Sequence, residues 1–261
     1  MDVEPTETRT ARAISFGAVA RAYAEHRPGY PAEAVRWLVG ARPGVVLELG
    51  AGTGALTSGV LALGGEVREI VASDPSPLML AELRARVPTA HALVASAEHI
   101  PLRPASVDLV LAGQALHWFD LDAALPEIAC VLRPGGTLAV IRNTADRAVP
   151  WVRRLFALMG MPDSLPDLDP LTSTDLFTTV ESRRFRHWQR MGRAEMLGLV
   201  ATQSRVSVLS APEHARLDVQ VGELYDEYDR GTAGMALPWM TYAHRARVSG
   251  LANFRRESVG G

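Results

Sequence analysis

The sequence contains no lysine, and all 27 of its basic residues are arginine, against 29 aspartates and glutamates. Mechanisms that need a side-chain amine are therefore excluded, among them Schiff-base catalysis and the phosphate-binding P-loop. A single cysteine, Cys130, cannot form a disulfide within the chain. No apolar run approaches the roughly 20 residues of a membrane span, and the polar stretch 1–10 does not resemble a signal peptide. These absences predict a cytoplasmic protein.

The charges are nearly balanced, with a formal net charge of -2, and the arginines are scattered singly and in pairs. Such a surface gives no field that attracts nucleic acid, so we expect a small-molecule substrate and neither a nucleic-acid nor a membrane partner. The histidines lack close pairing with each other or with cysteine, which predicts that there is no metal site. The sequence is compatible with a monomer and with a homodimer.

Short apolar runs alternate with stretches of helical spacing, which predicts an α/β fold. Because the runs are apolar on both faces, we expect a mostly parallel sheet covered by helices on both sides. Two later runs, 185–188 and 239–243, are predicted to form a closing antiparallel pair at the sheet edge. Such sheets bind ligands at the carboxyl ends of their strands. The central strands are predicted at 45–49, 70–74, 92–95, 107–112 and 137–141.

The flanking regions depart from this alternation, and four regions are predicted from the change. They are an N-terminal helical flap at 1–40, a ligand-binding core at 41–145, a small helical cap insertion at 146–182 and a C-terminal completion of the sheet at 183–261. The cap is expected to carry a proline-containing loop at 161–170. The helices expected outside the core lie at 16–24, 32–39, 149–159, 195–201 and 213–228.

The chemistry begins at the glycine-rich loop after the first strand, which reads Glu48-Leu49-Gly50-Ala51-Gly52-Thr53-Gly54. Glycines at alternate positions let the backbone turn tightly and let a ligand lie against it. The loop also satisfies the dinucleotide pattern, with Asp74 where an NAD-dependent oxidoreductase places its ribose-binding acid. A carboxylate at Glu48 is poorly placed beside a pyrophosphate and well placed beside a cation. The ligand is therefore expected to carry an ammonium or a sulfonium.

Six short motifs follow one another along the core, at 48–54, 74–76, 97–101, 106–110, 114–119 and 132–136. In this order they resemble the class I S-adenosylmethionine-dependent methyltransferases, and within them the small-molecule methyltransferase type 11 group. The resemblance covers about 16–143. It implies a Rossmann-like, seven-stranded sheet with one antiparallel strand, S-adenosylmethionine as methyl donor and S-adenosylhomocysteine as product.

The resemblance also implies which residues hold the donor. The glycine loop would lie under its methionine part, with Glu48 near the amino group, and Asp74 would accept hydrogen bonds from both ribose hydroxyls. Met79 or Leu78 would pack against the adenine. The cofactor-binding set implied in this way is Tyr23, Arg27, Glu48, Gly50, Ala51, Gly52, Gly54, Asp74, Pro75, Met79, Ser96, Ala97, Glu98, Gln114 and Ala115.

The loop after the third strand departs from the family. The family often has Asp-Ala-Glu there, and its aspartate takes the adenine amino group, whereas this chain has Ser96-Ala97-Glu98. A serine hydroxyl accepts a hydrogen bond more weakly than a carboxylate does. The backbone around Ala97 is therefore expected to take a larger share of the contact.

The flap and the segment after the fourth strand are expected to complete the site. Arg27 is the natural partner of the donor's carboxylate, with a surface or helix-capping role as its alternative. Tyr23 would contact the donor's amino-acid end or the substrate, with simple packing as its alternative. His117 is a candidate general base, because the ordinary pKa of histidine lies near working pH, and Tyr23 is a second candidate. Substrate contacts are expected from His117, Trp118 and Tyr30, with core packing as an equal alternative for Trp118.

These residues together predict in-line methyl transfer to a small-molecule oxygen, nitrogen or carbon nucleophile, catalysed by positioning. Two alternatives stay open: a non-catalytic S-adenosylmethionine-binding regulator and an NAD-dependent oxidoreductase. A carboxylate-bearing acceptor would suit four arginines, although a solvated charged face explains them equally well. They are Arg153, Arg154, Arg183 and Arg184.

Overall fold

The computed structural model describes residues 20–41, 43–65, 67–161, 174–178, 180–228 and 234–249. The strands are β1 Val45–Leu49, β2 Glu69–Asp74, β3 His91–Val94, β4 Val107–Gly113, β5 Leu132–Ala145, β6 Glu181–Met191 and β7 Met235–Arg247. The helices are α1 Ala20–His26, α2 Ala32–Val39, α3 Ala55–Leu61, α4 Pro77–Arg86, α5 Leu121–Val131, α6 Pro150–Leu158, α7 Arg193–Ala201 and α8 Ala211–Tyr228. A short 3₁₀ turn, Leu116–Trp118, precedes α5.

The strands form one seven-stranded sheet in the order β3-β2-β1-β4-β5-β7-β6. The pairs from β3 to β5 are parallel, and β7 is antiparallel to both of its neighbours. The expected Rossmann-like sheet with one antiparallel strand is confirmed. The winding reverses between β1 and β4, so the carboxyl ends of these two strands border the crevice in which such folds bind ligands.

Helices pack on both faces of the sheet because successive strand residues point to opposite sides. Val46 packs in a cluster with residues of α2, α3 and α4, whereas its neighbour Leu47 packs in a cluster with residues of α5. A third cluster joins Val152 of α6, Leu199 of α7 and Leu224 of α8. Full burial of side chains of this size stabilises a fold by about 1.5–3 kcal/mol each. These clusters fix the strand ends that carry the candidate site.

The fifth strand was predicted at 137–141, but β5 extends over Leu132–Ala145. The stretch 133–136 at its start contains a proline and two glycines, and this composition predicts a turn. In the structure it is an irregular beginning of the strand, where the pairing of β4 with β5 shifts register between Val107 and Leu109. Gly135 has a φ of 76°, which a β-bulge accommodates. Turn residues inside a bulged strand therefore explain the shortened prediction.

The closing antiparallel pair is confirmed, and both strands are longer than predicted. β6 spans 11 residues and β7 spans 13. Their polar side chains interrupt the apolar pattern, because this part of the sheet faces solvent on one side. Parts of three predicted regions lie outside the described residues. They are 1–19 of the flap, which include 16–19 of its first helix, 162–173 and 179 of the cap insertion, which include most of its loop, and 229–233 and 250–261 of the C-terminal completion. Within the described part of the chain, no helix is long and apolar enough to cross a bilayer.

Candidate active site

The glycine loop between β1 and α3 has a left-handed backbone at three positions. The φ angles are 65° at Gly50, 55° at Gly52 and 84° at Gly54. A Cβ on Gly50 would lie 2.6 Å from the Cβ of Ala115, so this glycine lets the loop pack against the segment after β4. A Cβ on Gly52 would meet nothing within 4 Å. Gly52 thus presents bare backbone to open space, as a loop that cradles a ligand requires.

Asp74, the last residue of β2, fastens this loop to the neighbouring strand. One carboxylate oxygen accepts a hydrogen bond from the Gly52 amide at 2.9 Å, and the other accepts from the Ser76 amide at 2.8 Å. Burial raises the pKa of Asp74, while the hydrogen bonds from the two backbone amides act against that rise. Each carboxylate oxygen has a further lone pair. Asp74 therefore shapes the loop and keeps capacity for a hydroxyl-bearing ligand beside it.

The start of α4 follows Asp74 directly. Ser76 caps this helix, since its hydroxyl accepts a hydrogen bond from the Met79 amide at 3.3 Å. Pro75 and Leu78 are exposed, whereas Met79 is buried in a small cluster with Ala20 of α1 and Trp118. Of the two side chains considered for the adenine, Met79 is the one held in place by packing.

Glu48 in β1 is a buried acid, with 1% of its surface exposed. The Thr57 hydroxyl donates a hydrogen bond to its carboxyl at 2.5 Å. Burial, with a smaller contribution from the charge of Asp74, raises the pKa of Glu48 to about 8. Its carboxyl is therefore mostly protonated at neutral pH. A cation placed beside it would favour the ionised form.

The loop after β3 is held by its own contacts. Ser96 pairs with His99 in an isolated antiparallel bridge, and Ala97 is buried in the core. The Glu98 carboxylate accepts a hydrogen bond from the Asp120 amide at 2.9 Å, immediately before α5. Glu98 therefore positions the segment between β4 and α5. Ser96, which carries the hydroxyl of this loop, is partly buried and follows the carboxyl end of β3 by two residues.

The end of β4 meets the flap. Gln114 has a φ of 54°, and its side-chain amide donates to the Asn143 carbonyl at 2.9 Å. Asn143 in turn donates to the Gly29 carbonyl at 2.9 Å and accepts from the Thr241 hydroxyl at 2.6 Å. The hydroxyl of Tyr30 lies beside Gly113, because a Cβ there would be 3.0 Å from it. The loop between α1 and α2, which contains Gly29 and Tyr30, is thus fixed to the carboxyl ends of β4 and β5.

His117 lies in the 3₁₀ turn that follows. Part of this residue is exposed to solvent. Desolvation of the imidazole by the surrounding protein nevertheless lowers its pKa to about 4, and the positive charges of Arg142 and Arg27 add to the effect. The ring centroid of Trp118 is 5.0 Å from that of His117. A neutral imidazole and an indole therefore lie next to each other in the turn after β4.

Arg27 comes directly after α1, and its guanidinium binds the end of α7. It donates to the Thr202 carbonyl at 2.9 Å, the Thr202 hydroxyl at 3.1 Å and the Gln203 side chain at 3.1 Å. A role toward the donor's carboxylate would have to be shared with these bonds. Tyr23 lies within α1, but its side chain is outside the described part of the structure.

Comparison with known proteins identifies this arrangement. Residues 47–140 match the family model described as "Methyltransferase domain". An uncharacterized methyltransferase from Mycobacterium tuberculosis is 39% identical over 246 residues, which cover 94% of this chain and 100% of the relative. The chain belongs to the class I S-adenosylmethionine-dependent methyltransferases. The family expected from the six motifs is confirmed.

Further methyltransferases agree with this assignment. An uncharacterized methyltransferase from Schizosaccharomyces pombe is 33% identical over 214 residues, covering 77% of this chain and 83% of the relative. A solved structure from Anaeromyxobacter dehalogenans, assigned to the type II methyltransferases, is 26% identical with a TM-score of 0.61. The match covers 85% of this chain and 97% of that one.

In this methyltransferase the fold brings several of the expected residues together at the carboxyl ends of the central strands. The glycine loop, Asp74, Gln114 and Tyr30 stand at or beside the carboxyl ends of β1, β2 and β4. Sequence reasoning missed Arg142 and Asn143, which directly follow the apolar run that defined the fifth strand. Two polar residues at the end of a buried parallel strand are the signal that indicates such positions.

Proposed function

We propose that the protein transfers a methyl group from S-adenosylmethionine to a small-molecule acceptor at the carboxyl ends of β1, β2 and β4. The observation that carries the proposal is the open left-handed backbone at Gly52, held by the carboxylate of Asp74. Bound there, S-adenosylmethionine would supply a methyl group activated on a sulfonium. The chain's own task is then to bind, to orient and to exclude water.

The chain divides these tasks between its strand ends. Gly50 to Gly54 and Glu48 would hold the amino-acid part, and Asp74 the ribose. Met79, Ser96 and Ala97 would border the adenine, and Gln114 and Ala115 would face the reacting end. The acceptor atom, whether oxygen, nitrogen or carbon, would lie near His117, Trp118 and Tyr30. Tyr23 and Arg27 are proposed to close the flap over the donor.

Calorimetric titration with S-adenosylmethionine, S-adenosylhomocysteine and NAD tests the donor, and Glu48 sharpens the test. The Glu48 carboxyl is mostly protonated in the free protein, since its pKa is about 8. A bound ammonium would favour the ionised form, so binding at neutral pH is expected to release up to about one proton. The apparent binding enthalpy should then vary with the ionisation enthalpy of the buffer, and Glu48→Gln should remove that variation.

Binding of NAD alone would overturn the methyltransferase proposal. Binding of the adenosyl compounds without buffer dependence would retain the donor and reject the contact with Glu48. Tight binding of S-adenosylmethionine with no turnover across a broad panel of acids, phenols and amines would favour the regulator.

His117 is our candidate for the general base. An acid–base group must be unprotonated to act as a base, and the pKa of His117 is lowered to about 4. The base form is therefore present from weakly acidic to alkaline pH, and its activity should be lost only as the pH falls towards 4. We expect His117→Gln to lower kcat/KM about a hundredfold, the low end for general bases, because such a pKa makes a weak base.

The exposed His91 at the start of β3 gives the matched control, and His91→Gln should behave like the parent. Parent-like turnover and an unchanged pH profile in His117→Gln would remove the base and leave the rest of the mechanism intact.

A further inference from the structure

One face of the antiparallel part of the sheet carries two arginines beside a single tyrosine ring, with Arg142 and Tyr242 half-buried and Arg184 exposed. Arg142 of β5 and Arg184 of β6 are both direct cross-strand partners of Tyr242 in the middle strand, β7. Their guanidinium carbons lie 5.5 Å and 5.4 Å from the centre of the ring. Stacking on an aromatic face holds a guanidinium while leaving its N–H groups at the edge. The two cations are thus arranged around one rigid support.

The surroundings of this cluster are positive. His244 is two residues from Tyr242 along β7 and so on the same face, where the Ser182 hydroxyl lies 2.8 Å from its Nδ1. Burial lowers the pKa of His244, and the charges of Arg142 and Arg184 lower it further. Asp146, a nearby acid, pairs with Arg186 at 2.5 Å. Among the residues that the structure describes, no carboxylate forms an ion pair with Arg184.

The cluster adjoins the candidate active site through β5. Gln114 donates from its backbone to Ile141 and from its side chain to Asn143, the two neighbours of Arg142. Asn143 points to the flap, and Arg142, being adjacent on the strand, points to the opposite face. Arg142 therefore lies beside the start of the segment 114–118, which carries His117 and near which the acceptor is proposed to lie.

The other arginines considered from the sequence have different surroundings. Arg154 pairs with Glu227 at 2.8 Å, and Arg153 donates to the Arg147 carbonyl at 3.2 Å. Arg183 projects to the other face of β6, where its guanidinium lies 5.5 Å from the Trp37 ring. Of those four residues, only Arg184 belongs to the cluster with Tyr242.

We propose that Arg142, Tyr242 and Arg184 form a subsite for the anionic group, a carboxylate or a phosphate, of the methyl acceptor. This inference rests on the proposed methyl transfer, because it assigns the anion to the acceptor. Guanidinium forks match both anions and form charge-assisted hydrogen bonds with them. The acceptor is therefore a small acid or phosphate ester, and the subsite selects it by charge.

The experiment uses the full chain saturated with S-adenosylhomocysteine and four probes of similar size: benzoate, phenyl phosphate, benzamide and benzylamine. Dissociation constants are measured by NMR titration. We expect the better of the two anions to bind at least tenfold more tightly than the neutral and cationic probes, and its affinity to fall with added salt. A preference for benzoate assigns a carboxylate, and a preference for phenyl phosphate assigns a phosphate.

The double variant Arg142→Gln/Arg184→Gln is expected to lose this preference, since each charge-assisted contact accounts for roughly a tenfold change in affinity. If the double variant does not fold, the single Arg184→Gln, on an exposed position of β6, gives the same test with a smaller effect. The matched control is Arg216→Gln on the exposed side of α8. It removes one positive charge far along the chain and should keep the parent's preference.

Equal binding of benzamide and benzoate, or parent-like binding of the anions by the double variant, would overturn the subsite. The prior titration with S-adenosylhomocysteine separates this failure from that of the proposed function. If the protein binds S-adenosylhomocysteine but does not prefer the anionic probes, the subsite alone is rejected. If it prefers the anionic probes but does not bind S-adenosylhomocysteine, the acceptor assignment is rejected together with methyl transfer.

Discussion

Asp74→Ala is expected to abolish measurable binding of S-adenosylmethionine. The carboxylate holds the amides of Gly52 and Ser76 at 2.9 Å and 2.8 Å, and it would also accept the ribose hydroxyls. Removing it leaves two amides without their charged acceptor and removes the ligand contacts at once. Because a hydrogen bond to a charged group contributes about 1.5–3 kcal/mol, loss of two or more should weaken binding at least a hundredfold. Calorimetric titration measures the change.

Asp74→Asn is the matched variant, since it keeps the shape and one carbonyl oxygen. It should retain part of the loop contact and bind the donor with intermediate affinity. Melting temperatures of both variants show whether the fold persists. Parent-like affinity in Asp74→Ala, with the fold intact, would contradict the site assignment.

Gly50→Ala is expected to be strongly destabilising. Its Cβ would lie 2.6 Å from the Cβ of Ala115, an atom fixed to the backbone, and the φ of 65° is unfavourable for any side chain. The left-handed conformation costs about 1–2 kcal/mol, and overpacking of this kind typically costs 1–3 kcal/mol more, so we expect a loss of about 3 kcal/mol. Denaturant unfolding of the free protein measures it.

Gly52→Ala provides the contrast in the same loop. A Cβ there meets nothing within 4 Å, so only the left-handed strain of about 1–2 kcal/mol remains. The added methyl group would nevertheless occupy the space in which the donor is proposed to lie. We therefore expect a folded protein that no longer binds S-adenosylmethionine. A Gly52→Ala protein with unchanged affinity would mean that the donor lies elsewhere.

The sequence predicts the fold where one local signal dominates. The apolar run Val45–Leu49 followed by alternate glycines predicts a strand and a tight loop, and β1 and the loop lie where expected. The beginning of β5 was missed because its glycines and proline have the composition of a turn, and only the register shift against β4 makes them strand. Local composition cannot report such a pairing.

The candidate site shows a similar limit. Asp74 and the glycine loop meet because both follow parallel strands, which the alternation predicts. The attachment of Arg27 to Thr202 joins residues 175 positions apart, and no periodic pattern encodes it. The pairing of Arg142 with Arg184 through Tyr242 depends on the register of three strands. Contacts of this kind are fixed by tertiary packing and become visible only in the structure.

The place of β7 in the sheet sets the order in which the molecule can be completed during synthesis. β6 is made before β7, yet its neighbour in the sheet is β7 and not β5. While the chain emerges from the ribosome, amino end first, β5 therefore keeps an unpaired edge and β6 has no partner strand. The backbone edges of both strands are paired only when residues 235–247, which form β7, insert between them. The anion-binding cluster, with one member on each of these three strands, is consequently the last part of the site to be assembled.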